Sequence, residues 1–124
     1  MKINFAQLQA SEVTLTERQV LLVEVGWENI SEVAGPIDLV LQLLRSSSAS
    51  PNAMVKFHLA DMAPGEQISS VLTFDFGEYT DYYASQGENI IGDWHVDAIL
   101  GVAYEWADIY DRVTMMNALH IVAG

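Results

Sequence analysis

Hydrophobic and polar residues alternate most regularly through residues 21–44. In the first half of this stretch, Val23, Val25 and Trp27 are separated by glutamate or glycine, which is the period of a strand with one buried face. Gly35-Pro36 then interrupts the pattern and excludes a continuous helix, because proline lacks the amide hydrogen that a helix interior requires. The stretch is therefore predicted to form two paired strands at the centre of the fold.

The second of these strands is apolar on both faces. Its inward face consists of aliphatic residues at alternate positions, namely Ile37, Leu39, Leu41 and Leu43. Val40 and Leu44 make the opposite face apolar as well. An antiparallel strand with one face in water normally carries polar residues on that face. We therefore expect a second cover over Val40 and Leu44, either the segment 102–113 of the same chain or a partner chain.

Shorter stretches with the same period predict the remaining strands. They lie within residues 2–9, 54–60, 68–76, 93–100 and 115–122. The stretch 54–60 is a half-buried strand with Val55, Phe57 and Leu59 on one face and Lys56 and His58 on the other. Short strands separated by turn-forming residues are typical of sandwiches and small barrels. The prediction is an all-β fold, a seven-stranded antiparallel immunoglobulin-like β-sandwich.

Two segments depart from the strand period. Residues 77–92, GEYTDYYASQGENIIG, are rich in glycine, tyrosine and acidic residues, and they are predicted to form a long loop. Loops of that length are uncommon in small domains and are often functional. In residues 102–112 the apolar side chains recur at helical spacing, which predicts an irregular segment with one helical turn.

Composition narrows the class of protein and of partner. With 124 residues, 51% of them hydrophobic and 18% charged, we expect one globular domain over residues 1–124. A net charge of −12 disfavours nucleic acid and anionic membranes as partners. The absence of cysteine excludes disulfides and thiolate metal sites. No apolar run resembles a signal peptide or a transmembrane segment, so a chain complete as given is expected to be cytoplasmic.

Aromatic residues outside the strand period are candidates for binding. Exposed tyrosines are favoured at protein interfaces because they supply a large, rigid contact area. The predicted binding residues are Tyr79, Tyr82, Tyr83 and Trp106. The alternative is that two of the three tyrosines fold back over the edge of the sandwich. Trp27 and Trp94 have inward parity, which favours core packing over a carbohydrate platform.

Three residues on the outward parity of the strand 93–100 are a candidate metal site. Asp93, His95 and Asp97 follow one another at about 7 Å along one strand face. Carboxylate oxygens suit calcium, whereas an imidazole suits zinc. The alternative is a solvated strand face. Apart from calcium, no cofactor is expected.

Several residues occur in an order typical of one domain family. They are Asn29, Pro64, Gly65, Glu66, Gly92, Val96 and Ala98. In this order they resemble the CARDB group of bacterial and archaeal immunoglobulin-like domains. A looser match to its acidic, asparagine-containing approach to the last strand comes from Glu105, Asp108, Asp111 and Asn117. The loop 77–92 is longer than is usual in that group, and the aspartate after its sixth strand has no clear equivalent here. The resemblance implies a seven-stranded sandwich that presents surfaces and usually lacks catalysis, and it transfers no active site.

The chain has no recognisable catalytic motif. It contains no glycine-rich phosphate loop, no nucleophile elbow and no pair of histidine and glutamate at helical spacing. We therefore predict that it is not an enzyme. The predicted function is protein interaction or assembly, through the tyrosine-rich loop or an exposed strand edge, with a protein partner or a second copy. The alternative is a calcium- or carbohydrate-binding β-sandwich module.

Overall fold

The computed structural model describes residues 1–15, 20–46, 54–87, 89–102 and 109–123, and strands dominate it. The strands are β1 (Lys2–Leu8), β2 (Glu12–Thr14), β3 (Val20–Glu28), β4 (Gly35–Pro36), β5 (Asp38–Arg45), β6 (Met54–His58), β7 (Asp61–Met62), β8 (Gln67–Asp75), β9 (Gly92–Gly101) and β10 (Ile109–Val122). One helix, α1 (Phe76–Ser85), follows β8. The predicted all-β class is confirmed. Within the described ranges, no helix has the length and apolar character that a membrane crossing requires.

The described strands form two large sheets and one short ribbon. The three-stranded sheet has the order β1–β3–β8, the five-stranded sheet has the order β2–β10–β9–β5–β6, and β4 pairs with β7. Pairing is antiparallel except between β10 and β2, which run parallel. The predicted pairing of the two strands within residues 21–44 is wrong, because β3 and β5 lie in different sheets. The predicted set of seven antiparallel strands is wrong in its count and in the direction of the β10–β2 pair. The cause is that β2, β4 and β7 have only two or three residues, too few to show a hydrophobic period.

The core lies between the inner faces of the two large sheets. Val23, Val25 and Trp27 on β3 belong to the same buried cluster as Trp94 and Val96 on β9. The predicted core positions of both tryptophans are confirmed. Fully burying a large apolar side chain stabilises the fold by about 1.5–3 kcal/mol. β3 and β9 therefore form the core of the fold, and they position the side chains on the outer faces of the sheets.

The apolar face of β6 is its outer face. β6 pairs with β5, and in this register Phe57 lies opposite Val40 while Lys56 lies opposite Leu41. Residues directly opposite each other share one face of a sheet. Since Leu41 is wholly buried in the core, Lys56 is on the core side and Phe57 points outward. A lysine is tolerated there because β6 is an edge strand of the described sheet, where a long side chain reaches water.

Helix α1 occupies the first part of the predicted loop, so the loop prediction is wrong for residues 77–85. The carboxylate of Asp75 caps the helix and accepts a hydrogen bond from the backbone N–H of Gly77 at 2.9 Å. Phe76 and Tyr83 lie two turns apart and are buried. Burial of these two rings outweighs the weak helix propensity of glycine, threonine and tyrosine, which had hidden the helix in the sequence.

The predicted helical turn within 102–112 falls mainly on residues 103–108, which lie outside the described residues. Residues 109–112, which the structure does describe, are extended and form the beginning of β10. Arg112 there lies opposite Ile99 of β9. This pairing places β10 beside β9 within the sheet, and Arg112 shares the outer face with Ile99.

Candidate functional site

An apolar groove crosses the outer face of the five-stranded sheet, and we call it the outer-sheet groove. It has a volume of about 310 Å³ and is lined by Val40, Gln42, Val55, Phe57, Ile99 and Ile109. The register places Val40 between Phe57 on β6 and Ile99 on β9. Val40 and Ile99 form a buried floor, whereas Phe57 is 53% exposed and Ile109 is 47% exposed. The groove is thus an apolar floor between two projecting apolar side chains.

The groove is the outer face of β5 that the sequence predicted to need a cover. Of the segment 102–113, Ile109 contributes directly to the lining. Residues 103–108 of that segment lie outside the described residues. In the part that the structure describes, the side chains of Phe57 and Ile109 remain about half exposed. Large exposed apolar side chains gathered in one groove are a common mark of an interaction site.

A charged network borders the groove on the same face. The side chain of Asp97 is wholly buried, and its carboxylate accepts hydrogen bonds from Arg112 Nε at 3.0 Å and Nη2 at 2.5 Å. Gln42 Nε2 donates to the same carboxylate at 2.9 Å, and Thr114 Oγ1 donates at 2.7 Å. Gln42 also lines the groove, so it connects the apolar surface to the network.

The network holds Asp97 in its ionised form. Burial alone would raise the pKa of Asp97, but the hydrogen bonds from Arg112, Gln42 and Thr114 outweigh burial and hold this pKa below its usual value. The hydrogen bond to Asp97 in turn raises the pKa of Arg112. Both groups are charged at neutral pH, and their charges cancel.

The predicted metal residues Asp93, His95 and Asp97 share the outer face of β9, but each is directed to a separate partner. Asp93 pairs with His120 at 2.5 Å, and the Nδ1 atom of His95 accepts the backbone N–H of Asn117 at 2.9 Å. Asp97 is occupied by Arg112. Within the described ranges, no three histidine, aspartate or glutamate side chains are grouped so that they could hold a metal ion. The trio is therefore not brought together as a site, and calcium binding stays a prediction.

The three predicted binding tyrosines all lie on α1, which places them in different environments. Tyr83 is buried and packs edge-on against Trp94, with ring centroids 6.2 Å apart. Tyr79 is half-buried beside Phe74, and burial, followed by the charge of Glu78 and by Tyr83, raises its pKa. Tyr82 is 54% exposed and alone of the three presents most of its ring to solvent. The fourth predicted binding residue, Trp106, lies outside the described residues.

Sequence reasoning found one half of the groove and missed the other. The apolar outer face of β5 was visible because Val40 breaks a regular alternation. The contribution of Phe57 was missed because an apolar side chain on a half-buried strand is expected to face the core. The signal for the outward orientation of Phe57 is Lys56. Inward-pointing charge is common on edge strands, and if Lys56 points inward its neighbours Val55 and Phe57 point outward.

The comparisons with known proteins show a fold and no family. No protein-family model matches the sequence, and no curated protein matches it. Among solved structures the chain is similar to part of a β-glucosidase from Listeria innocua, with 18% sequence identity and a TM-score of 0.58 over 97% of this chain and 16% of that chain. It is also similar to part of a β-glucosidase from Erythrobacter marinus, with 18% identity and a TM-score of 0.63 over 98% of this chain and 15% of that chain. The chain thus spans about one sixth of the length of these enzymes, and at this identity the likeness extends to the fold alone.

Proposed function

We propose that the chain is a non-enzymatic protein-interaction or assembly module, an immunoglobulin-like domain of CARDB type that binds through the outer-sheet groove. The observation that carries the proposal is the orientation of β6. Its register with β5 directs Phe57 away from the core, so that Phe57 lies beside Val40 on the outer face of the sheet. The solvated face of an antiparallel sheet normally carries polar residues, so an aromatic residue beside Val40 is unexpected on a face that only contacts water.

The energetics of the groove support a binding role. Phe57 and Ile109 keep about half of their surface in water beside a buried floor. A partner that covers both side chains gains the hydrophobic free energy of the covered area, at about 25 cal/mol per Å². A few buried aromatic and aliphatic anchors commonly provide most of the binding energy of an interface. The groove offers one such anchor point in Phe57.

The similar structures support a module rather than a complete enzyme. In each β-glucosidase the segment similar to this chain makes up only 15–16% of the protein. A fold that occurs as a small part of a longer chain is suited to an accessory role, and fold alone does not imply activity. The alternative, a calcium- or carbohydrate-binding module, has less support among the described residues, because no three acidic or histidine side chains are grouped for a metal ion and the ring of Tyr83 is buried.

The proposal is tested by selecting a displayed library of random peptides on the folded chain. We expect selected peptides to lose affinity by about tenfold or more when both Phe57→Ser and Ile109→Ser are introduced, because these changes remove the anchors of the groove. Two matched controls are Val71→Ser and Tyr82→Ser, since Val71 and Tyr82 are each 54% exposed and lie away from the groove. Loss of binding with Tyr82→Ser alone would assign the interaction to α1 instead. Failure to select any peptide that depends on the groove would argue against the proposed function.

A further inference from the structure

We infer that the free edge of β8 is a further interaction surface, which binds an extended, basic segment of another protein as an added strand of the three-stranded sheet. The inference goes beyond the proposed function, because β8 and the outer-sheet groove lie in different sheets. It follows from the backbone groups along this edge, from the protection of the other edge strands and from the charge of the sheet.

β8 presents a regular row of backbone hydrogen-bonding groups along its free edge. It pairs with β3 over nine residues without a register shift, and no other segment among the described residues makes a backbone hydrogen bond to it. The carbonyl of Leu22 on β3 accepts the N–H of Gln9 and so points toward β1. Successive strand residues direct their backbone groups to opposite sides, so Val23 bonds to its partner Leu72 on β8. The alternate residues of β8 direct their N–H and C=O groups to the free edge, and they are Gln67, Ser69, Val71 and Thr73.

The other edge strands of the described sheets have features that hinder the addition of a strand. β1 has a register shift between Ile3 and Phe5. β6 has five residues and carries Lys56 on its inner side, and β2 has only three residues. β8 has neither proline nor lysine, and residues 67–74 carry no charge. Bulges, short length and inward-pointing charge are the usual protection of an edge, so β8 is the described edge that is open to pairing.

An extended backbone is the partner that pairs with this whole row, because strand addition satisfies the N–H and C=O groups together. The side chains of β8 specify the partner further. Ile68 and Ser70 lie on the inner face, opposite Trp27 and Val25, and both are half-buried. Apolar side chains on the inner face of the added segment would therefore extend the core, and the segment should alternate between apolar and polar residues.

The charge of the three-stranded sheet favours basic residues on the outer face of the added segment. Its strands contain three carboxylates, those of Glu24, Glu28 and Asp75, and their one basic residue is Lys2 on the far edge strand β1. Lysine or arginine beside β8 would therefore meet carboxylates of the sheet. A second copy of this chain is a poor partner, because each copy has a net charge of −12.

A displayed library of nine-residue peptides tests this inference on the full chain. Valine, isoleucine or leucine occupies alternate positions, and threonine, glutamine, lysine or glutamate occupies the others. We expect lysine-rich peptides whose affinity falls by about tenfold or more with Val71→Pro, because proline removes an N–H at the free edge and leaves the hydrogen bonds to β3 in place. The matched control is Val71→Ala, which shortens the same side chain but keeps the N–H and should leave the affinity unchanged.

Amide hydrogen exchange provides a measurement that needs no variant, and it decides the question if Val71→Pro fails to fold. In the free chain the N–H groups of Ser69, Val71 and Thr73 should exchange fast and those of Ser70 and Leu72 slowly. A bound peptide should protect the first three. Slow exchange of these three in the free chain, or selected peptides that leave them unprotected, overturns the inference.

The same library separates the β8 edge from the outer-sheet groove. Peptides held at β8 should keep their affinity when Phe57→Ser and Ile109→Ser are introduced. Selection of only those peptides that these two changes release would overturn the inference and leave the proposed function standing. Selection of glutamate over lysine would overturn the basic class of partner.

Discussion

Replacing Arg112 by methionine should destabilise the fold strongly, although Arg112 lies at the surface. The side chain of Asp97 is wholly buried, whereas that of Arg112 is 48% exposed. Arg112→Met keeps a long side chain but leaves the buried carboxylate without its cation. Removing one partner of a buried ion pair costs about 3–5 kcal/mol. Because Arg112 is half in water, and because Gln42 and Thr114 still donate to Asp97, we expect a loss of about 2 kcal/mol in the free energy of unfolding.

Urea unfolding at neutral pH measures this loss, with Asp97→Asn and the double variant completing a cycle. In the double variant no charge is left buried, so its free energy of unfolding should lie above that of Arg112→Met alone. A loss below about 0.5 kcal/mol for Arg112→Met, or strict additivity in the double variant, would contradict the argument that Arg112 compensates a buried charge.

The pH dependence provides an independent check of the same pair. The pKa of Asp97 is lowered in the folded chain, so its contribution to stability is present above the unfolded pKa of about 3.9 and is lost as the pH falls through the folded pKa. In Arg112→Met the main hydrogen bond is gone and burial should raise this pKa instead. As the pH falls toward about 4, Asp97 becomes protonated in the variant, and the cost of its buried, unpaired charge is removed. The difference in the free energy of unfolding between the parent chain and Arg112→Met should therefore become smaller as the pH falls. A constant difference would refute the argument that Arg112 compensates the charge of Asp97.

Two further predictions concern the three-stranded sheet and α1. A Cβ atom at Gly26 would clash with the Phe5 ring, so Gly26→Ala should lower the free energy of unfolding in urea by about 1 kcal/mol. The loss should vanish in a Phe5→Ala background, and an unchanged loss there would point to the backbone instead. Burial raises the pKa of Tyr79, with smaller contributions from Glu78 and Tyr83, so the unfolded state releases this proton first and stability should fall as the pH rises above about 10. Thermal melts at alkaline pH should show a smaller decline for Tyr79→Phe than for the parent chain, and equal declines would exclude Tyr79 as the cause.

The sequence was informative where a strand is long and has one inner face. β3 and β9 have nine and ten residues, so the parity of Trp27 and Trp94 could be read directly and both are in the core. Periodicity fails for strands of two or three residues, which explains the missed β2, β4 and β7. It also failed at α1, where only Phe76 and Tyr83 anchor a short helix made of residues that individually disfavour one.

The candidate site was predictable only in part, for a related reason. The apolar outer face of β5 is a property of one strand, and the sequence displays it. The groove depends on which strands lie beside β5 and on which face of β6 meets Val40. Pairing and register between distant segments are not encoded in local spacing. The binding residues expected in the loop 77–92 were chosen for their chemical type, and the structure buries Tyr83 because its ring packs against Trp94.

The parallel pairing of β2 with β10 determines when the chain can finish folding. Val13 lies opposite Ile121, and the backbone N–H of Ile3 donates to the carboxylate of Asp111, 108 positions away, at 2.8 Å. The backbone groups of Ile3 and of β2 thus cannot close these hydrogen bonds until β10 is in place. Folds dominated by such distant contacts form slowly, because the entropy of closing long loops must be overcome first. Until β10 pairs with it, one edge of β9 lacks a partner strand, and the folding chain is most vulnerable to aggregation in that interval.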